Sequence, residues 1–505
     1  MSGTARLLVG LAALSIGLHL VTVAITPYGI HRDEFLYMAM GEHLRLWRMD
    51  FPPGIAIVSR VMRGVLGDSL LTIRVVPAIA GAALVFLAGS IARELGGGRA
   101  AQLLAALAIL LNPLFVRAAA LFQPVVFDQL AWTVALYALV RLGREDRPRW
   151  WLLLGAAGGI GLLFKFSIGF IGVGVLAALL LTPLRRSLRG RWPYAALGVA
   201  LLLGAPSIVG QLRLGFPVVG QLGDLRQTQL ERVGPAEFLT GHLLYGPATV
   251  LGLAGLVALL LWRPLRPYRA AGVACLAAVA LLLVFHGKPY YGGPIYPALV
   301  AAGAVALGGI APRAARMVLR SAVAAAILIY GIAVLPLGLP VLPPAAMARY
   351  ASALGVTEAT QTNRGEVLEL PQDYADMLGW EEQVRTVAGV YGALSPEQQA
   401  QAVIFAENYG RAGAIDYYGP RYGLPPAISA AGTYWFFGPG PRRGDVFISV
   451  GVPRDSLVPI FDSVRTVAVS REPWVVPEER EVPIHVGVGI RVPLQQVWPS
   501  LAGRN

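Results

Sequence analysis

Two adjacent acids, Asp33 and Glu34, follow the first long apolar stretch in the run His31-Arg32-Asp33-Glu34-Phe35-Leu36-Tyr37. Paired acids just after a first span, at a membrane surface, suit general-base work on a substrate hydroxyl. Tyr37 stands four residues from Asp33, so on a helix the two share a face. A structural reading fits the same residues, with Asp33 as a helix N-cap and Glu34 in the first turn, both stabilising the positive helix end. A third acid, Asp128, lies in Phe122-Gln123-Pro124-Val125-Val126-Phe127-Asp128-Gln129-Leu130-Ala131-Trp132. It is the carboxylate inside an apolar run, where an ionisable group is costly and by default marks a functional site. A structural ion pair, for instance with Arg117, is the alternative.

The lysines carry the sharpest compositional signal. Of 42 basic residues only two are lysine, Lys165 and Lys288. A chain so biased toward arginine has little reason to keep lysine where any cation would do. Lysine offers a compact ammonium with three donors, suited to meeting a phosphate as a point charge. Chance retention with snorkelling is the competing account. Lys288 lies in His286-Gly287-Lys288-Pro289-Tyr290-Tyr291-Gly292-Gly293-Pro294-Ile295-Tyr296-Pro297. Glycine and proline there leave backbone groups that only protein or a water-filled cavity can satisfy. Tyr290 and Tyr291 could stack on a sugar or form an interfacial belt.

These residues must be positioned by a membrane framework. The chain has 505 residues, 56% hydrophobic and 14% charged, with a mean hydropathy of +0.61. An ordinary soluble enzyme carries about 25% charged residues, and disorder needs the opposite balance. A single cysteine, Cys275, excludes a disulfide scaffold and a cysteine-based metal site. Stretches of roughly 20 apolar residues mark spans. They fall at 7–26, 72–92, 101–119, 125–141, 150–165, 167–184, 193–212, 243–262, 270–286, 294–311 and 321–340. Arginine clusters at 93–99, 141–149, 185–191, 263–269 and 313–320 occupy every second connector, which the positive-inside rule places in the cytoplasm. The other face then carries the first loop 27–71, the turns near Gln123 and Lys165, 213–242, 286–293 and the tail. Asp33, Asp128 and both lysines are thereby assigned to one side. The basic excess belongs to residues 1–340, with 29 Lys+Arg against 12 Asp+Glu. It suits anionic headgroups, not nucleic acid.

The expected fold class is a polytopic α-helical membrane protein, with about 11 or more spans and a C-terminal α/β soluble domain on the outer face. Domains are expected at 1–340 and 341–505, joined at Pro340, Pro343 and Pro344. In the first loop, 33–47 reads as an amphipathic helix lying in the interface with Trp47 as anchor. In the tail, 380–393 reads as a helix, Ser395-Pro396-Glu397-Gln398 as a capped helix start, and Ala402–Ala406 and Val446–Val452 as buried strands. The turn Glu407-Asn408-Tyr409-Gly410-Arg411 could bind phosphate through backbone N–H groups. Tyr434 and Trp435 could serve as sugar-stacking surfaces.

Taken in order, several motifs resemble those of the GT-C membrane glycosyltransferases, in the branch of the protein O-mannosyltransferases and the bacterial lipid A aminoarabinose transferases. They are Asp33-Glu34 with Tyr37, Asp50-Phe51-Pro52-Pro53, Asp128, Lys165-Phe166-Ser167, and Lys288 with Tyr290-Tyr291 and Tyr296-Pro297. They cover about residues 7–310. The chain is most similar to bacterial members of that branch with an Asp-x-Pro-Pro motif. The resemblance implies an inverting transfer of a sugar from a polyprenyl-phosphate donor to an acceptor hydroxyl on a glycolipid, a surface glycan or a protein of the cell envelope. It implies Asp33 as catalytic base supported by Glu34, with Asp128 nearby, and Lys288 with Lys165 on the leaving phosphate. Tyr37, Asp50, Tyr290 and Tyr291 would contact substrate. Location would be the bacterial plasma (inner) membrane, with the tail extracytoplasmic. The lipid A transferases carry Glu-Lys-Pro-Pro where this chain has Asp50-Phe51-Pro52-Pro53, which sets that acceptor apart. No ligand spacing demands a metal, and a divalent cation shared by Asp33 and Asp128 is left open. The alternative function is a transporter or flippase of lipid-linked sugars, and a polysaccharide polymerase or ligase is a third. Transporters commonly carry internal repeats and midplane polar residues, whereas here the polar residues gather at one face.

Overall fold

The computed structural model describes residues 3–310, 313–355, 360–362 and 365–502. It divides into two compact units. The membrane unit comprises Met1–Ile25, Leu46–Ile55 and Leu66–Val341, and the tail unit comprises Thr26–Arg45, Ala56–Val65 and Leu342–Asn505. Two stretches of the first loop are thus part of the tail unit's packing.

Each apolar stretch read from the sequence is mostly helical. Residue 311, the last of one stretch, is outside the described residues. Among the described residues, seven helices are long and apolar enough to cross a bilayer: Gly3–Ile25, Leu70–Glu94, Pro124–Arg144, Trp192–Arg213, Arg263–Val284, Pro289–Gly309 and Ala314–Gly338. Three more candidate spans are bent pairs. Arg99–Leu110 and Pro113–Ala120 meet at 57°, Ile168–Leu181 and Pro183–Arg189 at 93°, and Pro235–Tyr245 and Pro247–Leu261 at 112°. Pro148–Phe164 is a shorter apolar helix. The breaks follow from proline, which cannot donate to the preceding turn. At the first break Asn112 caps the new helix, its side chain accepting from the Leu114 N–H. Small residues let helices meet backbone to backbone. A Cβ on Gly155 or Gly159 would strike the Ala196 or Ala200 carbonyl of the neighbouring helix.

The helix Pro124–Arg144 fixes two ends of the membrane unit. At its C-terminal end Arg141 and Arg144 pair with Glu94, Arg141 also pairs with Glu145, and the Tyr268 hydroxyl donates to the Glu94 carbonyl. Connectors that the arginine alternation assigns to one side therefore meet there. At its N-terminal end meet the segments assigned to the opposite side.

The tail unit is built on a five-stranded sheet in the order β2-β1-β3-β5-β4. Its strands are β1 (Ala402–Ala406), β2 (Ala427–Ile428), β3 (Val446–Val450), β4 (Phe461–Arg471) and β5 (Glu481–Ile490). β1 lies parallel to β2 and β3, while β5 runs antiparallel to β3 and β4. The helix Tyr409–Tyr418 follows β1. Side chains alternate across a sheet, and Val403, Phe447, Phe461, Val464, Ile490 and Trp498 form a core on one face. β3 stops at Val450, not Val452, because Gly451 turns the chain at φ 90°. The helix Trp380–Gly392 and the Ser395–Gln398 capping box are as read from the sequence.

The first-loop helix departs from expectation. It spans Arg32–Glu42 and buries Glu34, Phe35, Tyr37, Met38, Ala39, Met40 and Gly41. It is a core element of the tail unit and not an interfacial helix, and Trp47 lies beyond its end. The amphipathic helix of this loop is Gly54–Leu66, with Val61, Val65 and Leu66 exposed.

Candidate active site

In the membrane unit, Asp128 stands in the second turn of Pro124–Arg144. Its Oδ1 accepts from Trp132 Nε1 at 3.1 Å and its Oδ2 from Ser167 Oγ at 2.8 Å. Phe127 stacks on Phe164, with ring centroids 4.5 Å apart and planes 15° apart. These contacts lock the start of one helix to the end of another, Pro148–Phe164. Lys165 ends that second helix in an extended conformation. Its ammonium lies over the Tyr291 ring at 4.8 Å and the Tyr290 ring at 5.6 Å, cation–π geometry in both cases.

The Tyr290–Tyr291 segment belongs to a tight 3₁₀ turn, Pro289–Ile295, entered through Lys288. His286 holds a left-handed φ of 55°, and its Nδ1 donates to the Val233 carbonyl at 2.9 Å. Such a conformation is unusual for a residue with a side chain. The Lys288 ammonium is buried and donates to Gln229 Oε1. Burial, then the charges of Lys165 and Arg117, pull its pKa down to about 8. Both lysines of the chain thus belong to one electropositive group with Tyr290, Tyr291 and Asp128. Asp50 is buried in the same unit, and Gly54 four residues on packs against Leu163 and Phe164 beside Lys165. Gln221 Nε2 donates to its Oδ2 at 3.2 Å, and Gln211 Nε2 to its backbone carbonyl.

The tail unit holds the other acids. The cap of Arg32–Glu42 is His31, not Asp33. His31 Nδ1 accepts from the Asp33 N–H at 3.1 Å, and Glu34 Oε2 accepts from the His31 N–H at 2.8 Å. Glu34, fully buried, closes this capping box. Asp33, in the first turn, accepts a 2.8 Å hydrogen bond at Oδ1 from the Tyr409 hydroxyl. Around them, Arg32 pairs with Asp376 at 3.4 Å and Glu478 at 3.3 Å, and His31 Nε2 lies 3.7 Å from Asp373 and 3.9 Å from Asp376. Burial opposes the His31 imidazolium, but Asp373, Asp33 and Asp376 outweigh it and lift its pKa to about 9. Burial raises Asp376 to about 6 against the pull of Arg32 and His31. Burial and the Asp33 charge one turn away hold the Tyr37 phenol well above its usual range.

Two tail readings are corrected. The Glu407–Arg411 turn is not an anion site: Asn408 Oδ1 already accepts from the Arg411 N–H, and the Glu407 and Glu479 carboxylates hold Arg411. Tyr434 is buried, its hydroxyl donating to Asp416, and Trp435 Nε1 donates to the Trp498 carbonyl, so these rings build the core. Among the described residues no group of three His, Cys, Asp or Glu side chains could hold a metal ion. The shared divalent cation left open above has no ligand set among them. Sequence reasoning missed Tyr409, Trp132 and Gln229 as partners of the candidate residues. Tyr409 lay in a turn singled out for another reason, Trp132 stands four residues from Asp128 on the same helix and was open to the spacing rule applied to Tyr37, and nothing local marked Gln229.

The family described as dolichyl-phosphate-mannose-protein mannosyltransferase matches residues 50–209, which include Asp50, Asp128, Lys165 and Ser167. No curated protein sequence matches the chain. Among solved structures, ArnT from Cupriavidus metallidurans bound to undecaprenyl phosphate superposes with a TM-score of 0.63 at 17% identity, covering 100% of both chains. Its apo form gives 0.61. The archaeal oligosaccharyltransferase AglB from Archaeoglobus fulgidus, in complex with an inhibitory peptide and a dolichol-phosphate, gives 0.54 at 11% identity. That match covers 88% of this chain and 69% of AglB. At these identities the likeness is one of fold. The chain is a multi-pass membrane protein with the GT-C fold seen in ArnT and AglB, and its residues 50–209 match the mannosyltransferase family.

Proposed function

We propose that this chain is an inverting glycosyltransferase that moves a sugar from a polyprenyl-phosphate donor to an acceptor hydroxyl at the outer face of the bacterial plasma membrane. The observation that carries the reading is the gathering of the chain's two lysines into one group with Tyr290, Tyr291 and Asp128, in a unit of GT-C fold. The polyprenyl phosphates bound to ArnT and AglB support the same donor class here.

In this mechanism Asp33 takes the proton of the acceptor hydroxyl as its oxygen attacks the anomeric carbon. The bond from that carbon to the phosphate oxygen breaks, and its electron pair leaves with the phosphate. The configuration inverts through an oxocarbenium-like centre. Lys288 and Lys165 stabilise the charge that develops on the phosphate, the electrostatic contribution expected where the leaving group is an anion. The tyrosines hold the Lys165 ammonium in place, and Ser167 and Trp132 hold Asp128. Glu34 keeps the Asp33 turn folded through the cap. The products are the glycosylated acceptor and polyprenyl phosphate.

The test uses the purified full chain in lipid with a panel of radiolabelled polyprenyl-phosphate sugars. Saturable binding that weakens in Lys288→Ala, with sugar transfer lost in Asp33→Asn, is the expected result. Wild-type transfer by Asp33→Asn would remove the base assignment. No binding of any lipid-phosphate sugar would favour a transporter.

A further inference from the structure

Asp33 is held by the tail through a turn built for a single placement. β1 ends at Ala406, and the chain passes through Glu407 and Asn408 into the helix Tyr409–Tyr418. Asn408 is extended and caps the helix, its Oδ1 accepting from the Arg411 N–H at 3.0 Å while its Nδ2 donates to Glu479 Oε1 at 2.8 Å. Arg411, buried, donates from Nε to Glu479 at 2.9 Å, from Nη1 to Glu407 at 2.5 Å and from Nη2 to the Glu478 carbonyl at 2.8 Å. Charge-assisted bonds of this kind are strong, and a fully satisfied buried network is rigid. Tyr409 lies between these two anchors, so its Cα has little freedom.

The helix also approaches Arg32–Glu42 unusually closely. A Cβ on Gly413 would lie 2.6 Å from Phe35 Cβ, and one on Gly410 would lie 3.0 Å from the Trp380 ring and 3.2 Å from Arg32 Cβ. Positions 410 and 413 are three apart and share a helix face. Glycine at both allows the backbone approach. The outcome is a Tyr409 hydroxyl 2.8 Å from Asp33 Oδ1, with the Arg32 guanidinium 5.3 Å from the centroid of the same ring. Burial and the Asp33 charge keep the phenol protonated, its pKa pushed well above the usual range. It therefore donates.

We propose that Tyr409 is a positioning residue for Asp33, and that the strand-to-helix turn of the tail exists in part to set the direction of that carboxylate. The inference rests on the reading of Asp33 as the base. A carboxylate side chain rotates about its last bond unless a donor fixes it. A proton-abstracting oxygen must lie within hydrogen-bond reach of the proton it takes, and a small misplacement of a reacting group costs rate out of proportion to its size. One short bond to Oδ1 restrains the plane of the carboxylate. The acceptor's chemistry then depends on the tail.

The test is Tyr409→Phe in the full chain, reconstituted in lipid and assayed for release of polyprenyl phosphate from the turned-over donor. Phenylalanine keeps the ring against Arg32 and removes only the hydroxyl. A fall of about tenfold in kcat is expected, with donor KM within twofold and an unchanged thermal midpoint. Replacing Tyr409 by 3-fluorotyrosine, a ring of nearly the same size with a more acidic hydroxyl, is the second variant, for use if Tyr409→Phe lowers the midpoint. A changed kcat at constant donor KM supports the proposal. Wild-type kcat in both variants, with Asp33→Asn inactive, overturns the positioning role and leaves the function standing. Full activity in Asp33→Asn, or a wild-type chain that turns over no donor in the panel, overturns the underlying reading and this inference with it.

Discussion

Lys288 should make phosphate binding depend on pH in a range where few other groups titrate. Its ammonium is buried against Lys165 and Arg117, and its pKa is lowered to about 8 from the ordinary 10.5. Only the charged form neutralises a phosphate. At pH 7 about nine-tenths of the side chain is charged, and at pH 9 about one-tenth, given a midpoint near 8. Apparent affinity scales with the binding-competent fraction. The dissociation constant for polyprenyl phosphate should therefore rise about tenfold from pH 7 to pH 9, or about 1.4 kcal/mol. The ligand adds little to this slope, since the second pKa of a phosphate monoester is about 6. Equilibrium binding to the chain in nanodiscs, at fixed ionic strength and half-unit pH steps, measures it. Lys288→Arg should bind with a flat profile, because a guanidinium stays charged throughout. Lys165→Met should move the midpoint upward, since a neighbouring positive charge disfavours the ammonium. A flat profile in the wild type, or the same slope in Lys288→Arg, would refute the reasoning.

Two further outcomes concern the tail. His31 is raised to about 9 in the fold from 6.5, so its contribution is fully present below pH 6.5 and lost as pH rises through 9. The size is about 3 kcal/mol. Thermal midpoints of the full chain across pH 6 to 9.5 should fall accordingly, and His31→Gln should flatten that trend; an equal trend in the variant would show that other groups carry it. Arg411→Met strands the buried Glu479 carboxylate and should destabilise by about 3–5 kcal/mol. Adding Glu479→Leu should recover part of the loss, and no recovery in hydrogen-exchange protection of β1 would show that the pair is not the cause.

The membrane unit was legible where a rule is local. Twenty apolar residues announce a span, and arginine clusters on alternate connectors group the connectors that meet at one end of the helix Pro124–Arg144. The breaks are also local: Asn112-Pro113 and Gly246-Pro247 are a cap and a left-handed glycine, each followed by a helix-starting proline. They went unread because an apolar count does not register chain direction. The tail was harder. β1 and β3 are short apolar runs and were read. β4 reads Phe461-Asp462-Ser463-Val464-Arg465-Thr466, largely exposed, and β5 carries Pro483, Gly487 and Gly489. Polar exposed faces and breaker residues hide such strands from a search for apolar runs. Their pairing in β5-β4 register is what stabilises them.

The candidate residues divide in the same way, and the reason is physical. Lysine at 165 and 288 stands out because 40 other cations in the chain are arginine, so the choice of residue type is itself the signal. Acids at a helix start carry no such signal. The same carboxylate that caps a helix can take a proton, and its neighbours in sequence are alike in both cases. Here local rules identified a cap but assigned it to the wrong residue, because histidine ranks below aspartate as a cap. His31 and Glu34 satisfy the helix end between them, so the cap does not require the Asp33 side chain. The Tyr409 hydroxyl, 376 residues away in sequence, donates to that carboxylate. What separates a structural acid from a candidate base in this chain is therefore a tertiary contact, and only the fold could bring it into view.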